Sequence, residues 1–177
     1  MDRYLYPHIN KDLSEKMVFI GGPRQVGKTT LSLQFLESGT EKHPAYLNWD
    51  SPVIRKDLLA GQLPTKQKLL IFDEIHKYKD WKSLIKGFYD LNKSDTQFLV
   101  TGSARLDYFR KGGDSLQGRY HYYRLHPLTL DEISPEYSAS QVPNLLRFGG
   151  FPEPQIKSNE THWKRWERER AKRVIFE

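Results

Sequence analysis

Three glycines precede a single lysine in the segment GGPRQVGKTT, residues 21–30. Its spacing, G-x-x-x-x-G-K-[ST], is that of the phosphate-binding loop known as Walker A. Glycines let backbone N–H groups curl around an anion with no Cβ in the way. The segment therefore predicts a nucleotide site formed by Gly22, Pro23, Arg24, Gln25, Val26, Gly27, Lys28, Thr29 and Thr30.

Lys28 and Thr29 carry the chemistry of this loop. We expect the ammonium of Lys28 to reach the β- and γ-phosphates of ATP and the Thr29 hydroxyl to ligate Mg²⁺. The start of the helix that follows adds unsatisfied N–H groups and a positive dipole end. Because Lys28 must meet a ligand, we expect it to be accessible to solvent. The sequence lacks the N/T-K-x-D signature of guanine sites after its fourth strand, which favours ATP over GTP.

Two carboxylates end the apolar run LLIFDE, residues 69–74. We expect this run to be a strand beside the P-loop strand, with Asp73 holding Mg²⁺, usually through water. Glu74 then stands where it can orient or deprotonate the attacking water. The alternative for Asp73 is a cap on the loop that follows, because aspartate also favours turns.

Two later residues complete the candidate catalytic set of Lys28, Glu74, Ser103 and Arg119. Ser103, or alternatively Thr101, ends the strand FLVTGS and is expected to contact the γ-phosphate or the attacking water. Arg119 follows a glycine and precedes a strand, which makes it the candidate arginine finger, in its own chain or in a neighbour. Arg105 is the second candidate. Turn chemistry for Ser103 and a solvated surface charge for Arg119 are the alternatives.

Short apolar strands alternate with helical patterns along the first 127 residues. Strands are expected at 17–21, 45–49, 68–73, 97–102 and 121–125, and helices at 28–37, 52–60, 80–92 and 105–110. This alternation predicts an α/β fold of the P-loop NTPase type, a three-layer sandwich with a central parallel sheet of five strands. Asp50 is expected to cap the helix that Ser51 and Pro52 begin.

The alternation stops after Pro127, so the chain divides into a P-loop core at 1–127 and a small helical region at 128–177. In that region Leu145, Leu146 and Phe148 are expected to be the core of a helix that Gly149 and Gly150 end. The alternative is a lid or hinge that moves with the nucleotide state. The charged segment 163–173 predicts a solvated helix with Trp163 and Trp166 as its buried stripe. A helix contacting nucleic acid is the alternative, which the interleaved glutamates disfavour.

Composition restricts the class of protein. The 177 residues include no cysteine, and 28 Lys and Arg against 22 Asp and Glu give a net charge of +6. This mild excess permits nucleic-acid binding without requiring it. No apolar run reaches the ~20 residues that span a membrane, and the amino terminus has no signal-peptide core. We therefore expect a cytoplasmic protein without membrane contact, cut from a longer chain because RAKRVIFE stops in mid-helix pattern.

Five segments together resemble a known family: GPRQVGKTTL, LIFDEIHKYKDWKSLIKGFYD, LVTGSARLD, SLQGRYHYYRLHPLTLDE and LLRFGGFPEP. They are similar to the AAA-type ATPase module of a group of prokaryotic ATP-binding proteins, over roughly residues 14–177. The resemblance implies an AAA+ or STAND-like core followed by a C-terminal domain of unknown function, winged-helix or nuclease-like, that is absent from this chain. It places Gly22, Gly27, Lys28 and Thr29 at Walker A, Asp73 and Glu74 at Walker B, Ser103 at a polar sensor position and Arg119 at the family's Gly-Arg.

Four functional hypotheses follow from these observations. The first is a Mg²⁺-dependent ATPase that acts as a motor or switch for the missing domain, with self-association where a finger acts between chains. The second is a nucleotide-dependent DNA-binding protein that contacts DNA through that domain. The third, an ATP sensor or scaffold with little turnover, is disfavoured by Glu74. The fourth, a small-molecule kinase, fits the IFDE segment less well than an ATPase does.

Overall fold

The computed structural model describes residues 3–102, 106, 116–133 and 142–176, with side chains up to residue 172. The predictions for Ser103 and Arg105, and the helix expected at 105–110, lie outside the described residues apart from position 106. None of the helices within the described ranges is both long enough and apolar enough to cross a membrane.

Five parallel strands form one sheet: β1 Met17–Gly21, β2 Tyr46–Asn48, β3 Leu69–Asp73, β4 Gln97–Thr101 and β5 Tyr120–Arg124. Residues of β1 and β3 are buried throughout, as expected for strands covered on both faces. The predicted α/β fold with a five-stranded parallel sheet is confirmed. Phe72 of β3 stacks on Phe98 of β4 with ring centroids 5.6 Å apart, which fills the core beside the sheet.

The order of the strands is β2-β3-β4-β1-β5. The expectation that the strand of Asp73 lies beside the P-loop strand is therefore wrong, because β4 lies between β3 and β1. The helix at Trp81–Asn92 carries the chain from β3 to a parallel neighbour, and that neighbour occupies the position next to β1. Apolar runs define strands but carry no information on their lateral order.

Helices α1 Tyr6–Asp12, α2 Lys28–Leu33, α3 Pro52–Leu59 and α4 Trp81–Asn92 accompany these strands. Helix α2 ends at Leu33 and not at the expected residue 37, because the next N–H groups bond to carbonyls three residues back, as in Gln34 to Leu31. Ser51, and not Asp50, caps α3 by accepting a 3.5 Å hydrogen bond from the Ile54 N–H. The strands and these helices belong to one compact unit, Tyr4–Leu125.

A second compact unit contains Arg3 and the described residues after position 125. Its helices are α5 Leu130–Ile133, α6 Val142–Phe148, α7 Pro152–Lys157 and α8 Glu160–Phe176. Gly149 ends α6 with φ 71°, as predicted, and Phe148 is buried. Leu146, in contrast, is 82% exposed, so the expectation that it belongs to the core is wrong. It lies on the outward side of a helix too short to bury both faces.

Arg3 and Trp166 hold this second unit together. The Arg3 Nε donates to Glu132 Oε1 over 2.7 Å in a buried ion pair. Trp166 of α8 is buried and lies 5.2 Å from the Phe151 ring, while Trp163 is only half-buried. The aromatic stripe expected on α8 is therefore carried mainly by Trp166.

Candidate functional site

The loop between β1 and α2 is concave because three of its residues adopt positive φ. They are Gly22 at 146°, Gln25 at 63° and Gly27 at 95°. A Cβ at Gly22 would stand 2.4 Å from the Leu125 carbonyl oxygen, so only glycine fits there. Gly27 also forms the N-cap of α2, so the loop leads directly to the helix start. This is the backbone shape that lets N–H groups surround an anion.

The remaining loop residues divide by exposure. Val26 is fully buried and anchors the loop to the core. Pro23 and Thr29 are half-buried, while Arg24, Gln25 and Thr30 face solvent. The positive charge of Arg24 acts on Lys28 and contributes to lowering the pKa of that lysine. The structure thus places residues 22–27 of the predicted nucleotide loop in the turn and Lys28, Thr29 and Thr30 at the start of α2.

Lys28 is folded back over this loop. Its Nζ donates to the carbonyl oxygens of Gly22 at 3.1 Å and Pro23 at 2.8 Å. Only 7% of the residue is exposed, so the expectation of an accessible lysine is wrong. Burial lowers the pKa of Lys28, and the nearby carboxylates of Glu74 and Asp73 oppose that shift. The two loop carbonyls therefore accept hydrogen bonds from the ammonium group of Lys28. The sequence alone did not predict this contact.

Asp73, at the end of β3, is 3% exposed and accepts three hydroxyl donors. Its Oδ2 accepts from Thr29 Oγ1 at 2.9 Å and from the Tyr46 hydroxyl at 2.6 Å. Its Oδ1 accepts from Thr101. Asp73 and Thr29 were predicted to share a metal, and the structure brings them into direct contact. Tyr46 was missed, because only the pairing of β2 with β3 brings it near Asp73.

Glu74 follows with a left-handed backbone, φ 58°, an uncommon conformation for this residue type. Its N–H donates to the Thr101 carbonyl over 3.2 Å. Its side chain is 28% exposed and lies 3.4 Å from Lys77 Nζ and 3.8 Å from His76 Nε2. Burial lowers the pKa of His76. Glu74, the predicted general base, therefore follows Asp73 with a left-handed backbone. Its carboxylate lies close to the ammonium group of Lys77.

The loops that follow β2 and β3 are joined beside Glu74. Lys77 Nζ lies 2.6 Å from Asp50 Oδ2 and 2.8 Å from Asp50 Oδ1. The Trp49 ring stacks on Tyr78 with centroids 5.0 Å apart. Asp50 therefore pairs with a lysine of the site loop and does not cap α3 as expected.

Arg119 lies just before β5, at the end of the strands opposite to the phosphate loop. Its carbonyl accepts from the N–H of Met17, at the beginning of β1, whereas the loop leaves from Gly21 at the end. Four strand steps, roughly 13 Å at about 3.3 Å each, separate those two ends. The Arg119 guanidinium bonds to Asp90, with Nε 3.0 Å from Oδ1. The structure does not bring Arg119 to the loop of its own chain.

The donor set of this site fits a magnesium nucleotide. Thr29 supplies a hydroxyl and Asp73 a carboxylate, and Mg²⁺ prefers oxygen ligands. The glycine loop offers backbone N–H groups where a Cβ would obstruct, as the Gly22 contact with Leu125 shows. Phosphates bind to such loops at helix starts. The residues present therefore suit ATP with Mg²⁺.

Comparison with known proteins yields one family match. A model of the family described as AAA domain matches residues 14–134. Two uncharacterized proteins, from Mycobacterium bovis and Mycobacterium tuberculosis, are each 29% identical to this chain over 147 residues. The match covers 81% of this chain and 32% of each relative. The chain thus spans about a third of the length of the curated relatives it matches.

Two solved structures share the fold. The RuvB Holliday junction branch migration motor of Thermotoga maritima superposes with a TM-score of 0.55 at 19% identity, over 86% of this chain and 57% of that chain. A STAND protein with a tetratricopeptide repeat sensor from Pyrococcus horikoshii gives 0.51 at 14% identity, over 86% of this chain and 28% of that chain. At these identities the likeness describes the architecture alone.

Proposed function

This chain belongs to the AAA domain family, and we propose that it binds ATP with Mg²⁺ and hydrolyses it. The observation that carries the proposal is the meeting of Thr29 and Asp73 at 2.9 Å, with Glu74 next in sequence. The first residue belongs to the phosphate loop and the second to a strand two positions away in the sheet. Their contact lies at the carboxyl ends of the strands. The groups that we propose to bind phosphate, to bind the metal and to activate water would all act there.

The loop and Lys28 would bind the phosphates. The loop residues other than Pro23, which has no N–H, would offer backbone N–H groups to the phosphates from the concave side of the turn. Lys28 would exchange its two loop carbonyls for phosphate oxygens, which are stronger acceptors because they are charged. The start of α2 adds its dipole to the same place.

Thr29 and Asp73 would hold Mg²⁺. When bound, the ion would neutralise charge on the phosphate oxygens. The Thr29 hydroxyl would offer a lone pair to the ion while its O–H continues to donate to Asp73 Oδ2, as it does in this structure. Asp73 is already engaged on both oxygens, which favours contact with the ion through water over direct ligation.

Glu74 would accept a proton from the attacking water. Its carboxylate is partly exposed, so a water molecule can reach it. A positioned carboxylate of this kind contributes about 10²- to 10⁴-fold to the rate of proton transfer. Ser103 remains the proposed polar contact to the γ-phosphate. Arg119 lies at the amino end of the strands, away from the loop, so we propose that any finger role is played on a neighbouring chain.

We propose further that hydrolysis drives or switches another part of a longer protein. The support is the length of the relatives, of which this chain spans about a third, at 32%. The RuvB protein that shares this architecture is a branch migration motor, and the STAND protein carries a tetratricopeptide repeat sensor. The effect of DNA on the rate of ATP hydrolysis tests whether the proposed activity acts on DNA.

The test measures phosphate release from ATP by the chain, with and without Mg²⁺ and with no added phosphoryl acceptor. We expect Mg²⁺-dependent release, and Glu74→Gln should retain nucleotide affinity while releasing phosphate at least ~100-fold more slowly. Glu15→Gln, at the amino edge of the sheet, is the matched control and should match the wild type. Equal rates for Glu74→Gln and wild type would refute the water-activating role. Stimulation by duplex DNA would favour the DNA-dependent alternative. ADP formation that requires an added acceptor and releases no phosphate would indicate a kinase.

A further inference from the structure

Strand β2 contributes one side chain to the site, that of Tyr46. This strand lies at the outer edge of the sheet, beside β3. In the parallel register Tyr46 is level with Ile71, and Asn48 is level with Asp73. Residues two apart on a strand share a face, so Tyr46 and Asp73 point to the same side. The length of the phenol ring carries the hydroxyl forward to the carboxylate, where it donates to Oδ2 over 2.6 Å.

The three donors to Asp73 limit how the carboxylate can turn. Thr101 is level with Asp73 on β4 and donates to Oδ1, while Thr29 and Tyr46 both donate to Oδ2. An ionised carboxylate offers about four lone-pair directions. Three are taken, which leaves one for a further donor such as a water molecule of a hydrated ion. The orientation of that remaining direction depends on all three hydroxyls.

The Tyr46 hydroxyl is suited to a permanent place in this arrangement. The residue is 6% exposed, so bulk water does not compete for its proton. A buried phenol hydroxyl needs a hydrogen-bond partner, and Asp73 Oδ2 accepts from it over 2.6 Å. Unlike Thr29, it comes from outside the phosphate loop, so its removal leaves the loop itself intact.

We propose that Tyr46 is a positioning residue for Mg²⁺, whose hydroxyl orients Asp73 so that this carboxylate and Thr29 bind the hydrated ion together. The inference rests on the proposed function. Groups that hydrogen-bond a metal-binding carboxylate from behind commonly contribute about 10- to 100-fold to metal affinity. Because Tyr46 acts through Asp73 and not on the phosphates, its loss should change the Mg²⁺ requirement and leave metal-free nucleotide binding unchanged.

The experiment titrates the chain with a fluorescent ATP analogue at a series of Mg²⁺ concentrations and in the presence of EDTA. Tyr46→Phe removes one hydroxyl and keeps the ring. We expect the Mg²⁺ concentration for half-maximal tightening of nucleotide binding to rise about tenfold, with affinity in EDTA equal to wild type. Tyr89→Phe, which removes the hydroxyl of a similarly buried tyrosine of α4, is the control and should leave both values unchanged.

Affinity in EDTA also reports whether each variant has folded. Tyr46→Met, which fills the same space with a flexible apolar chain, repeats the measurement if the phenylalanine variant does not fold, and the same rise is expected. An unaltered Mg²⁺ requirement in a folded Tyr46 variant overturns this inference alone. Wild-type nucleotide binding that is indifferent to Mg²⁺ overturns the proposed function and this inference with it.

Discussion

The ammonium nitrogen of Lys77 lies 3.4 Å from Oε2 of Glu74, one turn back along the chain. The same nitrogen contacts both oxygens of Asp50, at 2.6 and 2.8 Å, in the loop that follows β2. Hydrogen bonding to Asp50 and the charges of both carboxylates raise the pKa of Lys77, although partial burial opposes them. The proposed general base is therefore accompanied by a cation that Asp50 holds from the loop after β2.

We expect Lys77→Met to slow hydrolysis while leaving nucleotide affinity unchanged. Without the cation, Glu74 loses a contact that restricts its carboxylate, and displacement of a reacting group by about 1 Å can cost up to ~10²-fold. The free energy of unfolding should change by no more than about 1 kcal/mol, because the pair is largely exposed. Steady-state phosphate release separates kcat from KM. Lys79→Met, a nearby exposed lysine, is the control. A faster Lys77→Met enzyme would mean that Lys77 restrains Glu74 in an unproductive position.

Lys28→Ala should abolish tight MgATP binding and also destabilise the fold. The ammonium donates to the carbonyls of Gly22 and Pro23, and losing these bonds should lower the free energy of unfolding by about 1–3 kcal/mol. Urea denaturation and titration with a fluorescent ATP analogue measure the two effects. Lys42→Ala, at an exposed position after α2, should alter neither. Unchanged nucleotide affinity in Lys28→Ala would eliminate the phosphate-loop assignment.

Gly102→Ala should destabilise the chain by about 1–3 kcal/mol, the usual cost of overpacking. A Cβ there would stand 2.6 Å from His76 Nδ1 and 2.9 Å from Leu106 Cδ1, so these two side chains must shift. Gly87→Ala is the matched contrast, because a Cβ on that residue of α4 meets nothing within 4 Å. It should stabilise the helix by roughly 0.5–1 kcal/mol. Thermal unfolding of both variants gives the comparison, and equal midpoints would contradict it.

Arg119→Ala should retain turnover in dilute protein, because the guanidinium bonds to Asp90 at the edge away from the loop. A finger reaching a neighbour's γ-phosphate would instead show activity per chain that rises with concentration, and a loss of ~10³-fold or more on substitution. Mixing Arg119→Ala with Lys28→Ala decides between them, since each variant keeps the half-site that the other lacks. Restored hydrolysis supports action between chains, and no restoration despite co-assembly contradicts it.

The phosphate loop and the strands could be predicted because their signals are local. Gly22 and Gly27 reveal a turn that only glycine can adopt, and runs such as Leu69–Asp73 identify buried strands without reference to their neighbours. Helices α1 and α7 were missed for a related reason. They have only 7 and 6 residues, which is too short to show a helical spacing of apolar residues in the sequence.

Lateral relationships could not be predicted. Tyr46 meets Asp73 only because β2 pairs with β3, and Asp50 meets Lys77 only because the loops after those strands are adjacent. The sequence around Lys28 does not distinguish a side chain that faces solvent from one that donates to the carbonyls of its own loop. The residue types indicated which chemical groups were available. The order of the strands determined which of those groups lie together in the site.

The stack of Trp49 on Tyr78 gives this protein a built-in optical reporter. The indole belongs to the loop after β2 and the phenol to the loop after Glu74, so any change in the spacing of those two loops alters the surroundings of the indole. Tryptophan emission responds to such changes without an attached dye. Intrinsic fluorescence therefore tests whether added nucleotide changes the spacing of these loops, with Trp49→Phe identifying the part of the signal that arises beside the candidate site.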